Sequence, residues 1–579
     1  RRPEGEVPGA GGRDAAEALT SSLPFSAATR RLHWESLGRE EFDLLVVGGG
    51  ITGVGIALDA ALRGLRVALV EAGDFAQGTS SRSSRLIHGG LRYLETFDFR
   101  LVFEASAERR RLLELAPHLV HPLPFLFPIW KGGSVGYRKL QAGLWLYDGL
   151  ALLRNIGRHR MLDREAALEA EPQLRRDGLQ GGGCYYDAAV DDARLTLAVA
   201  RAAHQAGATM LSYVEAVGFL SGGREMRGAH LEDRLGGGSA ELRARLVINA
   251  TGPWSDEVRR LADPAATPRL RPTKGVHLML RRKRVGNRGA LIFPSPVDGR
   301  IMFVLPWGRF TYLGTTDTDF EGTPHDVLAD AADAEYLLES VNGIFPEARL
   351  RSEDVISTWA GVRPLLAEHS EEEIAAGATS REHEIWRDTN GLLTIAGGKL
   401  TTYRTMAAEA VDEAARILRE EHGIGSGPSR TADLRLPGSP TEAWKEFHLR
   451  IRGEAIALGL SADTGSHLAR AYGADAELIL ESVRQAPAQG APLLEGHPAI
   501  WTEVAHAASQ EMTMTVEDLL QRRLHLLYEA EDGGMSIARA AAERLAEENG
   551  WGGDTDEIER QVDAYRAMVE RTRSFQHQH

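Results

Sequence analysis

The 579-residue chain has one cysteine, Cys184, which excludes an intramolecular disulfide framework and any cysteine-built zinc or iron–sulfur site. No metal is expected, and the composition fits a reducing compartment. Lysine is nearly as scarce. Only Lys131, Lys139, Lys274, Lys283, Lys399 and Lys445 stand among 67 basic residues, so arginine serves wherever any cation will do and a retained lysine invites a question. No apolar run reaches the roughly 18 residues a bilayer-spanning helix needs. A net charge of -15 argues against nucleic acid as a partner, because phosphate neutralisation needs a clustered basic face. Residues 1–31, rich in Gly, Ala, Pro and Ser, lack the compact apolar segment of a secretion signal, and residues 1–40 are expected to be a disordered tail.

The ordered pattern begins at residues 42–47, apolar apart from Asp43, as in a central parallel strand. Gly48-x-Gly50-x-x-Gly53 follows at once. Residues 51–63 repeat small and apolar side chains at helical spacing, Gly64 ends that helix, and residues 66–70 form a second strand finishing at Glu71. A helix is expected at 98–116, then a proline-punctuated apolar segment at 121–130. A second crossover follows as helix 193–206 and strand 209–217, and strand 242–249 closes on Ala250-Thr251-Gly252.

From 268 to 363 short alternating strands (276–280, 290–293, 300–305, 310–314) predict an antiparallel sheet. Strand 392–396 and helix 402–420 return to the first unit. Residues 423–440 are a linker dense in Gly, Ser and Pro, and 441–573 are nearly all helical in pattern, for example 516–528 and 536–548. The expected fold is α/β: a Rossmann-like, glutathione-reductase-like dinucleotide-binding domain over 41–267 and 364–422, an inserted α+β substrate domain over 268–363, and an all-α C-terminal domain over 441–573.

Gly48, Gly50 and Gly53 fall between strand and helix, where missing side chains let the backbone approach a pyrophosphate at the helix N-terminus. Glu71, about 20 residues on, is placed to accept ribose hydroxyls. This turn alone does not separate NAD from FAD. Ala250-Thr251-Gly252 is a small-residue turn that lets a second segment pack against the cofactor. Gly397-Gly398, opening a helix, offers amides and a positive helix end to a reduced flavin ring. A site assembled from such remote segments points to FAD.

Several further motifs carry a resemblance: Ser84-Arg-Leu-Ile-His-Gly-Gly-Leu-Arg-Tyr-Leu-Glu95, Val190-Asp-Asp-Ala-Arg194, Asn249-Ala-Thr-Gly-Pro-Trp254, Gly314-Thr-Thr-Asp317, Gly361-Val-Arg-Pro-Leu365 and Gly397-Gly-Lys-Leu-Thr-Thr-Tyr-Arg404. With the glycine turn, they resemble the bacterial FAD-dependent glycerol-3-phosphate dehydrogenases over roughly residues 42–415, and residues 511–523 resemble that family's helical C-terminal domain. The resemblance implies hydride transfer from carbon 2 of glycerol 3-phosphate to FAD, giving dihydroxyacetone phosphate, with electrons passed to a membrane quinone. It implies a cytoplasmic enzyme held peripherally at the inner face of the membrane. The oligomeric state stays open, a homodimer being one form.

Such chemistry needs cations for a phosphate dianion, a base for the hydroxyl proton and a rigid flavin face. By resemblance Arg363 and Arg381 contact substrate, where a planar fork suits bidentate phosphate binding, and Arg92 and Tyr93 line the site. Lys399 follows the Gly397-Gly398 turn and is placed to stabilise charge on flavin or substrate. Lys274 and His277 lie at a strand entering the substrate domain; His277 is the preferred base, with His88 its rival. Ser80, Ser84, His88, Leu400 and Thr401 join Gly48, Gly50, Gly53, Glu71, Ala250, Gly252, Gly398 and Lys399 as expected cofactor contacts. Residues 125–160 mix aromatic, apolar and basic side chains, which suits a segment lying in lipid headgroups. Three alternatives remain: an oxidase of the same family that makes peroxide, an amine or amino-acid oxidase on the same scaffold, and a non-catalytic flavin-binding or scaffold module.

Overall fold

The computed structural model describes residues 23–94, 98–150, 156–222, 225–367 and 382–577. Two sheets organise them. The first is built on Glu41–Val47, which pairs in parallel with Ser239–Asn249 on one side and Val67–Val70 on the other. Leu393–Gly397 and Thr209–Leu211 extend the parallel set, and His383–Arg387 adds an antiparallel edge. Leu44, Leu45 and Val46 are fully buried, as a strand covered on both faces requires. Helices Ile51–Leu62, Asp192–Gln205 and Tyr403–His422 cover one face.

The second sheet has Leu270–Arg281 toward one end, paired antiparallel with both Phe310–Gly314 and Val355–Leu366. Its other half differs from expectation. Leu86–Ile87, Val120–Trp130, Arg160–Asp163 and Leu179–Val190 all belong to this sheet, so four of its ten strands come from residues expected in the dinucleotide domain. Val120–Trp130 joins the halves through a parallel pairing of Phe125 and Leu126 with Ala290 and Leu291.

Two expectations are corrected at the N-terminal side. Residues 23–40 are not a disordered tail: Ala27–Ser36 is a helix capped by Ser26, Phe25 is in the core, and buried Arg30 binds Asp233 at 2.6 Å. A buried arginine kept with its partner fastens this helix to the sheet. Residues 1–22 lie outside those described. Strand 209–217 is in fact two, Thr209–Leu211 and Val214–Gly222, broken at Tyr213 with φ 56°.

The C-terminal region is helical from Trp444–Ala457 to Thr555–Arg573. The continuous helix expected at 516–528 is instead a π-helical turn, Asp518–Arg523, and a short helix, Leu526–Glu529, separated at His525 with φ 57°.

Candidate active site

One cavity of about 1670 Å³ runs between the two sheets. At one end stands the glycine turn. A β-carbon on Gly53 would collide with the Gly48 carbonyl, so only glycine lets helix Ile51–Leu62 begin this close to the strand. Glu71 accepts the Gly49 amide at 2.6 Å and the Gly73 amide at 2.9 Å, and Ser80 Oγ accepts the Ile51 amide at 2.9 Å. Burial raises the Glu71 carboxyl above its ordinary value despite those two amides. The result is a helix N-terminus free of side chains beside a part-buried carboxyl group, which is what a dinucleotide pyrophosphate and its ribose require. Trp254, lining the same stretch, has a buried indole N–H without a protein partner. These features fit FAD.

Further along, Ser84, His88 and Tyr93 meet Gly398, Lys399, Leu400 and Thr401. Thr401 Oγ1 accepts the His88 amide at 3.2 Å. The Lys399 ammonium lies 3.4 Å from the centre of the Tyr93 ring, a cation–π contact. Ala250, which packs against the Gly48 turn, and Gly252 also line the cavity.

Another wall of the cavity follows from strand register. Arg363 faces Thr273, Gly361 faces Gly275, and Trp359 faces His277, so alternate residues of two strands present one face. A β-carbon at Gly275 would strike the Arg363 guanidinium, and one at Gly314 would strike the His277 ring. The glycines thus let both side chains lie flat across the sheet. Arg363 extends over Gly275, and His277 is two residues on, about 7 Å along the strand, a span suited to a short phosphorylated polyol.

Arg363 donates to Asp317 Oδ1 at 3.0 Å, Thr315 Oγ1 at 2.9 Å and the Thr316 carbonyl at 3.0 Å. His277 Nε2 is 2.9 Å from Ser84 Oγ, and the ring stacks on Trp359 at 5.0 Å. Burial, then the charges of Arg363 and Arg85, hold His277 well below its ordinary pKa. Arg85 itself sits over Trp307 and Trp359 at 4.4 and 4.9 Å, and Tyr312 donates to the Ser84 carbonyl at 3.0 Å. A neutral imidazole at neutral pH is the form that accepts a proton.

Of the residues singled out from sequence, Gly48, Gly50, Glu71, Ser80, Ser84, His88, Tyr93, Ala250, Gly252, His277, Arg363, Gly398, Lys399, Leu400 and Thr401 line the one cavity. Gly53 supports the turn from behind. Lys274 does not reach the cavity: strand parity turns it to the opposite face from His277, where it donates to Asp330 at 2.7 Å and Asp333 at 2.6 Å. The Arg92 side chain and all of Arg381 lie outside the described residues. Sequence reading missed Arg82, Arg300 and Asp317, which line the cavity, and Trp359. Asp317 ends the Gly314-Thr-Thr motif and was findable there. The facing pair Gly275 and Gly361 needed the strand register.

The expected headgroup-binding segment divides in two. Phe125, Phe127 and Ile129 are core residues of a strand, whereas helix Tyr137–Leu150 leaves Trp145 63% and Leu146 42% exposed. Residues 151–155 lie outside those described. Among the described residues no helix is long and apolar enough to cross a membrane, and no cluster suited to a metal ion occurs.

Comparison with known proteins agrees with this geometry. The family model described as FAD dependent oxidoreductase matches residues 43–404, and that described as the C-terminal domain of alpha-glycerophosphate oxidase matches 429–556. The aerobic glycerol-3-phosphate dehydrogenase of Staphylococcus haemolyticus is 39% identical over 511 residues, 87% of this chain and 90% of its own. Glycerol-3-phosphate dehydrogenase 2 of Mycobacterium bovis is 40% identical over 550 residues, 94% and 90% respectively. The crystal structure of glycerol-3-phosphate dehydrogenase from Bacillus halodurans, complexed with FAD, superposes with a TM-score of 0.78 at 33% identity, covering 95% of this chain and 99% of that one.

Proposed function

Because the chain belongs to the family of FAD-dependent glycerol-3-phosphate dehydrogenases, we propose that it oxidises sn-glycerol 3-phosphate to dihydroxyacetone phosphate and passes the electrons to a membrane quinone. The observation that carries the reading is the single cavity joining the Gly48–Gly53 turn to Arg363 and His277. FAD, when bound, supplies the hydride acceptor. Arg363 takes the substrate phosphate, sharing its donors between phosphate and Asp317, and thereby fixes carbon 2 beside His277. His277, neutral and stacked on Trp359, accepts the hydroxyl proton at Nε2 through Ser84, whose hydroxyl is hydrogen-bonded to that nitrogen and passes its own proton on as it takes the substrate's. Lys399 holds a positive charge where negative charge accumulates. His88 is the second candidate for the proton, since it borders the same space.

A quinone acceptor is supported by where the cavity leads. It is lined by Val135 and by Lys139 of helix Tyr137–Leu150. That helix packs on Phe99–Leu115, and the two together expose Phe99, Phe103, Trp145 and Leu146. Four apolar side chains beside a lysine suit shallow insertion among headgroups, which would bring a lipid-dissolved acceptor to the cavity mouth. Reduction of the bound flavin by sn-glycerol 3-phosphate without oxygen, then re-oxidation by quinone, tests the whole reading.

A further inference from the structure

The C-terminal helical domain has no part in the chemistry above, yet two of its most deeply buried charges meet the segment that borders the cofactor end of the cavity. Arg522 and Arg523 are 0% and 1% exposed, and both bind Asp74, three residues after Glu71. Arg522 Nε donates to Asp74 Oδ2 at 2.5 Å, and Arg523 donates to both Asp74 oxygens, at 2.9 Å to Oδ1. Arg522 also donates to Asp518 at 2.8 Å, and Asp518 accepts the Tyr213 hydroxyl at 2.5 Å. Tyr213 in turn donates its amide to the Gly73 carbonyl at 2.7 Å.

Adjacent residues of an α-helix point about 100° apart, and the wider π-helical turn Asp518–Arg523 brings two consecutive guanidinium groups to one carboxylate. Ion pairs this deep add little net stability over a well-packed apolar contact, because desolvation offsets their attraction. What they supply is a fixed register. The segment they register, residues 71–81, is gripped on its inner side by the amides of Gly49 and Ile51, which donate to Glu71 and Ser80. Glu517, Gln561 and Tyr565 of the C-terminal domain line the same cavity as Gly78 and Arg82.

We propose that the C-terminal domain is a cofactor-retaining element: through Asp74, Arg522 and Arg523 it holds residues 71–81 in the conformation that grips the adenosine half of FAD, so that domain docking and FAD affinity are linked. The inference rests on the placement of the adenosine end at Glu71.

The test is the FAD dissociation constant of the full-length apoprotein, read by flavin fluorescence, beside the apoprotein's Tm. Asp74→Asn and the milder Arg523→Lys should each weaken FAD by about 5- to 150-fold, the usual range of such coupling. Glu503→Gln breaks an equally buried cluster with His467 and Tyr472 inside the domain; it should lower Tm and leave FAD affinity within about twofold of the parent protein. If Asp74→Asn and Arg523→Lys move FAD affinity no more than Glu503→Gln does, the inference is overturned. Glu71→Gln separates the two levels: weakened FAD there with unchanged affinity in the Asp74 and Arg523 variants overturns the inference alone, and unchanged FAD in all three overturns the placement with it.

Discussion

Ser84 Oγ lies 2.9 Å from His277 Nε2, and the two come from remote parts of the chain: Ser84 from the segment after the cofactor loop, His277 from strand Leu270–Arg281 of the second sheet. The hydrogen bond aligns an imidazole that burial and two arginines keep neutral. His277→Ala should therefore lower kcat by about 10²- to 10⁴-fold, the usual contribution of a positioned base, with a smaller change in KM. Because the folded His277 protonates only well below its ordinary 6.5, the acid limb of kcat/KM should fall below pH 6.5. Steady-state rates across pH check both, and an equal loss in His88→Ala with none in His277→Ala would transfer the role.

In the proposed reaction Arg363 binds the substrate phosphate while held by Asp317 and Thr315. Arg363→Met should cut kcat/KM by roughly 10- to 150-fold, the equivalent of about 1.5–3 kcal/mol for a charged hydrogen bond. Glycerol, which lacks the phosphate, should be turned over equally poorly by both proteins. Competition kinetics with inorganic phosphate would reveal the same loss.

Lys399 sits over the Tyr93 ring in the part of the cavity assigned to the flavin. Lys399→Met should make the flavin midpoint potential more negative by a few tens of millivolts, about 30 mV corresponding to about 1.4 kcal/mol for two electrons. Spectroelectrochemistry reads this directly, and an unchanged potential would assign Lys399 to substrate alone.

Stability should fall as the solution is acidified from pH 6.5. Burial pushes His33 down to about 4 and His118 and His121 to about 3. Unfolded chains take up these protons below 6.5 while the folded protein does not, so each step down in pH favours unfolding until the folded values are reached. Glu511 adds to the loss at lower pH. Against the upward push of burial, Arg194 holds its carboxyl down at about 2, and the stability this gives is present above 4.5 and lost as pH falls toward 2. His467, raised by Glu503 despite burial, works in the opposite direction. Tm measured from pH 7 to pH 4 should decline continuously.

Trp145→Ser with Leu146→Ser removes the most exposed apolar pair of helix Tyr137–Leu150. The double variant should stay in the supernatant when sedimented with anionic vesicles, while the parent protein pellets with them. Turnover with a water-soluble acceptor should be unchanged.

The glycine turn, Glu71 and the remote segments at 250–252 and 397–401 were legible in the sequence, because each rests on local backbone demands written in a few adjacent residues. The second sheet was only half legible. Val120–Trp130 carries Pro122, Pro124 and Pro128, which argue against a central strand; these prolines lie where the strand is paired only with Leu179–Val190, outside the two residues that also meet Ala290 and Leu291, so no second ladder loses a donor. In that partner strand Gly181, Gly182 and Gly183 mask the β pattern. Lys274 was misread because its face depends on strand parity, and one residue of register exchanges core for cavity. The π-helical turn at Asp518–Arg523 has an ordinary helical sequence; the buried Asp74 that meets both arginines is some 450 positions away.

The most direct test of the account is anaerobic titration of the purified yellow holoprotein with sn-glycerol 3-phosphate, followed by addition of a quinone or of oxygen. The account predicts stoichiometric bleaching of the flavin absorbance and rapid recovery with quinone but slow recovery with oxygen. A spectrum unchanged by substrate would contradict the substrate assignment, and fast recovery with oxygen accompanied by peroxide would contradict the quinone acceptor.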